Sequence, residues 1–175
     1  MGAILCCSLP PLGSVSYALQ AAPSGVETAG AEMIGPDAER AIQRGLRFLA
    51  ASQNPDGSFG ANRSARNNVA VCALCGLAFL SAGHTPNRGE YGENVDRAVK
   101  FLLKSVQANG YINIPEGSGH GPMYGHGFAT LFLAEVYGMT NQPEIREKLD
   151  RAVKLIINSQ NKEGGWRYHP IKNDA

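Results

Sequence analysis

The side chains in this 175-residue chain best able to do chemistry gather in one glycine-rich run, Gly119–Thr130, reading G-H-G-P-M-Y-G-H-G-F-A-T. Glycines flanking His120, Tyr124 and His126 point to a loop whose backbone must come close to something. His126, Thr130 and Tyr137 then recur at helical spacing on an otherwise apolar stretch. A polar strip of this kind either lines an opening and touches a ligand or hydrogen-bonds neighbouring helices inside the fold. Both readings stand at this level, so His120, Tyr124, His126, Thr130 and Tyr137 are candidate ligand-binding residues.

Other chemistries fall away. Gly117-x-Gly119-x-Gly121 has the look of a dinucleotide fingerprint, but no strand pattern precedes it. Cys72 and Cys75 sit on one apolar stretch, and no second ligand pair follows at zinc spacing. They read as two small buried hydrophobes. Neither a metal nor a cofactor is expected. The formal charge is +1, with no basic block of the kind that nucleic acid binding requires.

These candidates are held by elements that repeat. Arg44–Phe59 (R-G-L-R-F-L-A-A-S-Q-N-P-D-G-S-F) is an amphipathic basic run, then a turn on Asp56-Gly57, then an aromatic. Its helix is expected to start at Asp37 as N-cap, with Ile42, Leu46 and Leu49 facing inward and Arg40, Arg44 and Arg47 on other faces. A second helix from about Asn67 to Ala82 carries no charge, so it must be buried on nearly every side. The alternation then recurs: amphipathic Asp96–Ser105, apolar Met123–Tyr137 opened by Gly121-Pro122 and stopped by Gly138, and amphipathic Asp150–Ser159. Ser52, Ser105 and Ser159 lie 53 and 54 residues apart, as do Gly57, Gly110 and Gly164. A period held through a loop marks a structural repeat. Charged helices outside and uncharged ones inside make an all-α protein of layered helical hairpins, either a closed α/α barrel or an open solenoid.

The repeat resembles the QW motif of the terpenoid cyclases, the squalene–hopene and oxidosqualene cyclase group. Arg44, Gly45, Phe48, Leu49, Gln53 and Gly57 fit one copy, with Phe59 in the tryptophan place. Arg151, Ala152, Ile156, Gln160, Gly164 and Trp166 fit another, with Leu155 in the aromatic place. The middle copy keeps Arg97, Ala98, Phe101, Leu102 and Gly110, but Val106 takes the glutamine slot and Ile112 the tryptophan slot. The resemblance covers about residues 37–169. It implies an α/α toroid, here an incomplete barrel of about two and a half hairpins, whose motif residues act as structural staples rather than catalysts.

It also implies an apolar cavity for an isoprenoid, an acidic Asp-x-Asp-Asp run that protonates the substrate, and aromatic faces that stabilise the carbocation. That acidic run is absent from this chain. Asp174 is a weak candidate acid that reads more readily as a plain helix N-cap. Two functions are open: a terpenoid cyclase-like repeat protein whose catalytic acid is not in this chain, or a non-catalytic isoprenoid- or protein-binding scaffold. Any enzyme activity would be a class II cyclase-type isomerisation. The zinc-dependent prenyltransferases of similar fold fit less well, because Cys72 and Cys75 lack that family's aspartate.

Residues 1–36 carry no Lys or Arg, and Pro10-Pro11 breaks their apolar runs. They read as a leader and linker, either a degraded signal peptide or a disordered tail, so export and a cytoplasmic location stay equally open. Residues 37–175 read as the repeat domain, cut short at its C-terminal end. Such a unit should leave inner-helix surface bare and self-associate or dissolve poorly, with peripheral membrane contact as a further option.

Overall fold

In the computed structural model, residues 34–62, 66, 68–115 and 121–172 are described. The leader, His120 and Asp174 lie outside them. The chain divides into Met1–Glu39 and Arg40–Ala175, and the second of these units carries the repeat.

The described elements are all helical: α1 Pro36–Ala51, α2 Val69–Ser81, α3 Gly92–Lys104, α4 Pro122–Thr140 and α5 Pro143–Ser159. Local chemistry sets their ends. Asn68 caps α2, its Oδ1 accepting from the amides of Ala70 (2.9 Å) and Val71 (3.3 Å). Pro122 and Pro143 open α4 and α5, where a missing amide costs nothing. Four boundaries differ from the sequence reading. α1 begins one residue early at Pro36, placing Asp37 in the first turn rather than at the cap. α2 is trimmed to start after Asn68, because that side chain is the cap. α3 begins at Gly92, four residues ahead of Asp96. α4 runs past Gly138 and stops where Asn141 turns left-handed (φ 52°), since Asn tolerates that conformation and Pro143 follows.

α2 and α4 are the inner layer and pack mainly on each other. Cys72, Ala73 and Phe79 from α2, and Ala129, Phe132, Leu133 and Val136 from α4, are core residues. Gly76 lets the helices close up, because a Cβ there would lie 2.5 Å from the Phe132 ring. The outer helices show the expected charged side. α1 buries Leu46, and α5 buries Ile145, Ala152 and Ser159. On α5, Glu144–Lys148, Glu147–Arg151 and Asp150–Lys154 pair at i,i+4. Such exposed pairs each contribute only about 0.3–0.5 kcal/mol. Lys148 also donates to the Leu103 carbonyl at the end of α3 (3.1 Å), a cation where the helix dipole is negative. Two expectations fail: Ile42 is 42% exposed, as α1 is covered only toward its C-terminal half, and the inner helices are not buried on nearly every side, since Leu74, Phe128 and Leu131 stay exposed.

The repeat reappears as geometry. Ser52, Ser105 and Ser159 each close their helix by donating to the carbonyl four residues back, at 2.7, 2.9 and 2.7 Å. Each following turn makes the same two backbone bonds. The amides of Asn54, Gln107 and Asn161 reach Ser58, Tyr111 and Gly165 carbonyls, and the amides of Gly57, Gly110 and Gly164 reach back to Asn54, Gln107 and Asn161. All three glycines have φ between 84° and 93°.

The first two turns back onto the next outer helix. A Cβ on Gly57 would overlap the Arg97 carbonyl, and one on Gly110 would overlap the backbone of Arg151. Gly57→Ala and Gly110→Ala are therefore each expected to destabilise the fold by about 3 kcal/mol, combining left-handed strain with overpacking. Gly45 has nothing within 4 Å, so Gly45→Ala should stabilise by up to about 1 kcal/mol. Urea unfolding midpoints of the three variants test this ordering.

Candidate functional site

Gly121 opens α4 in the left-handed conformation (φ 87°), and its missing Cβ leaves room for two rings. A Cβ there would stand 2.7 Å from the Tyr124 ring and 2.9 Å from that of Tyr168. The two rings lie 5.8 Å apart at 60°. The segment after the third turn is tied down beside them. Met123 N–H donates to the Tyr168 carbonyl (3.0 Å), and Trp166 Nε1 donates to the Ile156 carbonyl (2.8 Å). Between these groups lies a cavity of about 700 Å³, walled by Met123, Tyr124, Ile156, Trp166, Tyr168 and Ile171, with Arg167 and His169 adding polarity. It is mainly apolar, aromatic on several sides and open. Such walls suit a hydrocarbon ligand, and ring faces suit a passing positive charge.

The five candidate residues separate. Tyr124 is on the cavity wall. His126 and Thr130 are buried, and Tyr137 is half-buried against the core. Of the three, His126 hydrogen-bonds neighbouring elements. Thr130 Oγ1 donates to the His126 carbonyl (2.7 Å). His126 Nδ1 accepts from Ile112 N–H (3.1 Å), which leaves Nε2 as the donor to the Ala152 carbonyl at 3.2 Å. The ring thus bridges the second turn to α5 as a neutral tautomer.

That bridge accounts for the degenerate middle copy. In the first copy, Gln53 ties the turn to α3. Its Nε2 donates to Gly57 O (3.2 Å) and Asn94 O (2.9 Å), while its Oε1 accepts from Asn94 Nδ2 (2.9 Å), Arg97 Nε (3.1 Å) and Arg97 Nη2 (2.8 Å). Val106 stands in that slot in the second copy and can do none of this. His126 lies 54 residues after Cys72, whose thiol faces the Gly57 and Ala98 carbonyls at 3.6 and 3.8 Å. The link between turn and helix has moved from the loop to the inner helix. Burial raises both thiols, Cys75 to about 11, so neither is a ready thiolate.

The third copy is bare by comparison. Gln160 donates to Gly164 O (2.8 Å), and only its own Nε2, at 3.8 Å, stands near a Cβ placed on Gly164. Sequence reasoning missed Tyr168 and Ile171. The signal was the aromatic spacing of Trp166 and Tyr168 just past a double glycine.

The layered hairpins define the class, an all-helical fold consistent with part of an α/α toroid. The sequence is 28% identical over 141 residues to the drimenyl diphosphate synthase of Streptomyces showdoensis, covering 77% of this chain and 24% of that one. It is 33% identical over 116 residues to the squalene-hopene cyclase of Schizosaccharomyces japonicus, covering 58% of this chain and 18% of that enzyme. This weak similarity to two terpenoid cyclases agrees with the resemblance read from the sequence. The chain spans about a quarter of the length of the first relative and less of the second. No protein-family profile and no solved structure matches it.

Burial depresses the His126 pKa below its ordinary 6.5, opposed in part by the bond to Ala152. The unfolded chain therefore takes up this proton first. Stability is full above pH 6.5 and declines as pH falls below it. Melting temperature is expected to drop between pH 7.5 and 5.5. His126→Gln, which retains an acceptor and a donor, should flatten that slope. Tyr111 carries the opposite lesson: its hydroxyl is buried, has no hydrogen-bond partner among the described residues, and its pKa is pushed up to about 12. Tyr111→Phe is expected to leave the melting temperature unchanged or raise it.

Proposed function

We propose that this chain is part of a terpenoid cyclase-type protein and that its own contribution is to wall an isoprenoid site. The observation that carries this is the apolar, aromatic cavity formed by Tyr124, Ile156, Trp166 and Tyr168, on a chain similar to two terpenoid cyclases. An isoprenoid buries its methyl-branched chain against Met123 and Ile156 and meets ring faces on the other sides. Hydrocarbon burial contributes about 25 cal/mol per Å², enough for micromolar binding of a farnesyl-sized chain.

A second reading, binding without cyclisation, is favoured by one feature. Among the described residues the cavity wall includes no Asp or Glu, so nothing there donates a proton to an alkene. The 175-residue chain then holds an isoprenoid but leaves it unchanged.

Trp166 is the single tryptophan of the chain and reports directly on the cavity. Titration with farnesol is expected to shift its emission to a saturating value, and Tyr124→Ala should weaken binding about tenfold through lost aromatic surface. A linear, non-saturating response would count against the isoprenoid site. Incubation with squalene should yield no polycyclic product, and detecting one by mass spectrometry would overturn the non-catalytic reading alone.

A further inference from the structure

The second junction leaves one strong donor unmatched. In the first, Arg97 turns the Nε and Nη2 edge of its guanidinium onto Gln53 Oε1, at 3.1 and 2.8 Å. Arg151 is its counterpart 54 residues on, and Val106, in the glutamine slot, carries no oxygen on its side chain. Glu147 takes Nη1 of Arg151 (2.7 Å), while Nε is buried and has no hydrogen-bond partner among the described residues. His126 restores the tie between turn and helix, but both its nitrogens are spent on backbone groups. It does not replace the lost acceptor. A guanidinium edge of this kind matches two oxygens of one carboxylate or phosphate.

Arg151 also lines a groove of about 410 Å³ between the second turn and α5. Asn109, Lys154 and Asn158 share its wall, and no Asp or Glu is among the residues lining it. The carboxylates of Glu147 and Asp150, which pair with Arg151 and Lys154, stand one turn earlier on α5. The same place in the first copy is built differently. Asp56 stands there where the second turn has Asn109, so a negative charge is already present, and Gln53 satisfies the arginine. Both changes, acid to amide and glutamine to valine, favour an incoming anion. The openness of this face does not come from a chain end. Asp56, Lys100 and Lys104, the counterparts of Asn109, Lys154 and Asn158, are exposed although a further hairpin follows them.

We propose that this groove binds a phosphate group, held by Arg151 and Lys154 with the Asn109 and Asn158 amides as neutral donors. Two cations in one groove suit the near-double charge of a phosphate better than the single charge of a carboxylate. Rotation of the Arg151 side chain, which is 34% exposed, brings Nε and Nη2 onto one phosphate oxyanion. The ligand then supplies the acceptor that Gln53 supplies to Arg97. The site shares no lining residue with the aromatic cavity and is independent of what that cavity holds.

Thermal melting of the full 175-residue chain, titrated with millimolar sodium phosphate at an ionic strength fixed with sodium chloride, tests the proposal. The wild-type melting temperature should rise with a saturable dependence, by about 4 °C at a tenfold excess over Kd. Asn158→Asp places a carboxylate in the groove at an exposed position. It should melt close to wild type without phosphate and bind phosphate about tenfold more weakly. Val106→Gln returns the acceptor from within, so it should melt higher than wild type without phosphate and lose most of the phosphate response. Half-saturation at a lower concentration of glycerol 3-phosphate than of inorganic phosphate assigns a phosphorylated small molecule as the ligand, and the reverse assigns the free ion. A wild type without saturable response, Asn158→Asp responding as strongly as wild type, or a folded Val106→Gln that keeps the full response would each overturn the site.

Discussion

The structure depends on backbone meeting backbone, where a left-handed glycine turn presses against the middle of the next outer helix. Gly57 on Arg97 and Gly110 on Arg151 leave no space for a side chain. Close approach at those points fixes where each outer helix lies, and the inner helices then fill what remains between them. The aromatic or aliphatic residue after each of the first two turns completes the junction. Phe59 and Ile112 are almost fully buried, and Phe59 stacks 6.4 Å from Phe79, which in turn lies 5.2 Å from Tyr91. Steric closeness comes first and hydrophobic burial consolidates it.

That ordering explains which parts of the fold were readable. The alternation of charged and uncharged helices was legible because water and hydrocarbon sort side chains strongly, and α2 and α4 form the inner layer, although Leu74, Phe128 and Leu131 on them stay exposed. The turns were legible because Gly57, Gly110 and Gly164 recur at nearly constant intervals, the first two after Asp and Asn. Helix ends were less so. Gly138 looked like a stop, but a glycine halts a helix only when its φ turns positive, and here Asn141 makes that turn instead.

The site was legible only in part. Tyr124 reaches the cavity, while His126, with the same glycine neighbours, points into the interior. A helix puts residues two apart on different faces, so the run G-H-G-P-M-Y-G-H-G could not serve a single surface. The exchange between Val106 and His126 was hidden for a different reason. Loss of a glutamine in the loop and gain of an imidazole on the inner helix lie 20 residues apart in sequence, and only the fold brings both to Ile112.

That exchange also tells which feature of the repeat physics requires. A glutamine at one junction and a histidine at the next join a turn to the following outer helix, and in both cases the group offers an accepting atom and a donating one. The requirement is therefore a bifunctional polar link across a desolvated gap, where an unpaired backbone group would cost more than any one choice of side chain. Glutamine reaches across from the loop and stays half-buried. Histidine does so from the inner helix, fully enclosed, and as a result becomes sensitive to protons near neutrality. Two solutions to one packing problem thus differ in their response to pH, which is a property no single repeat displays alone.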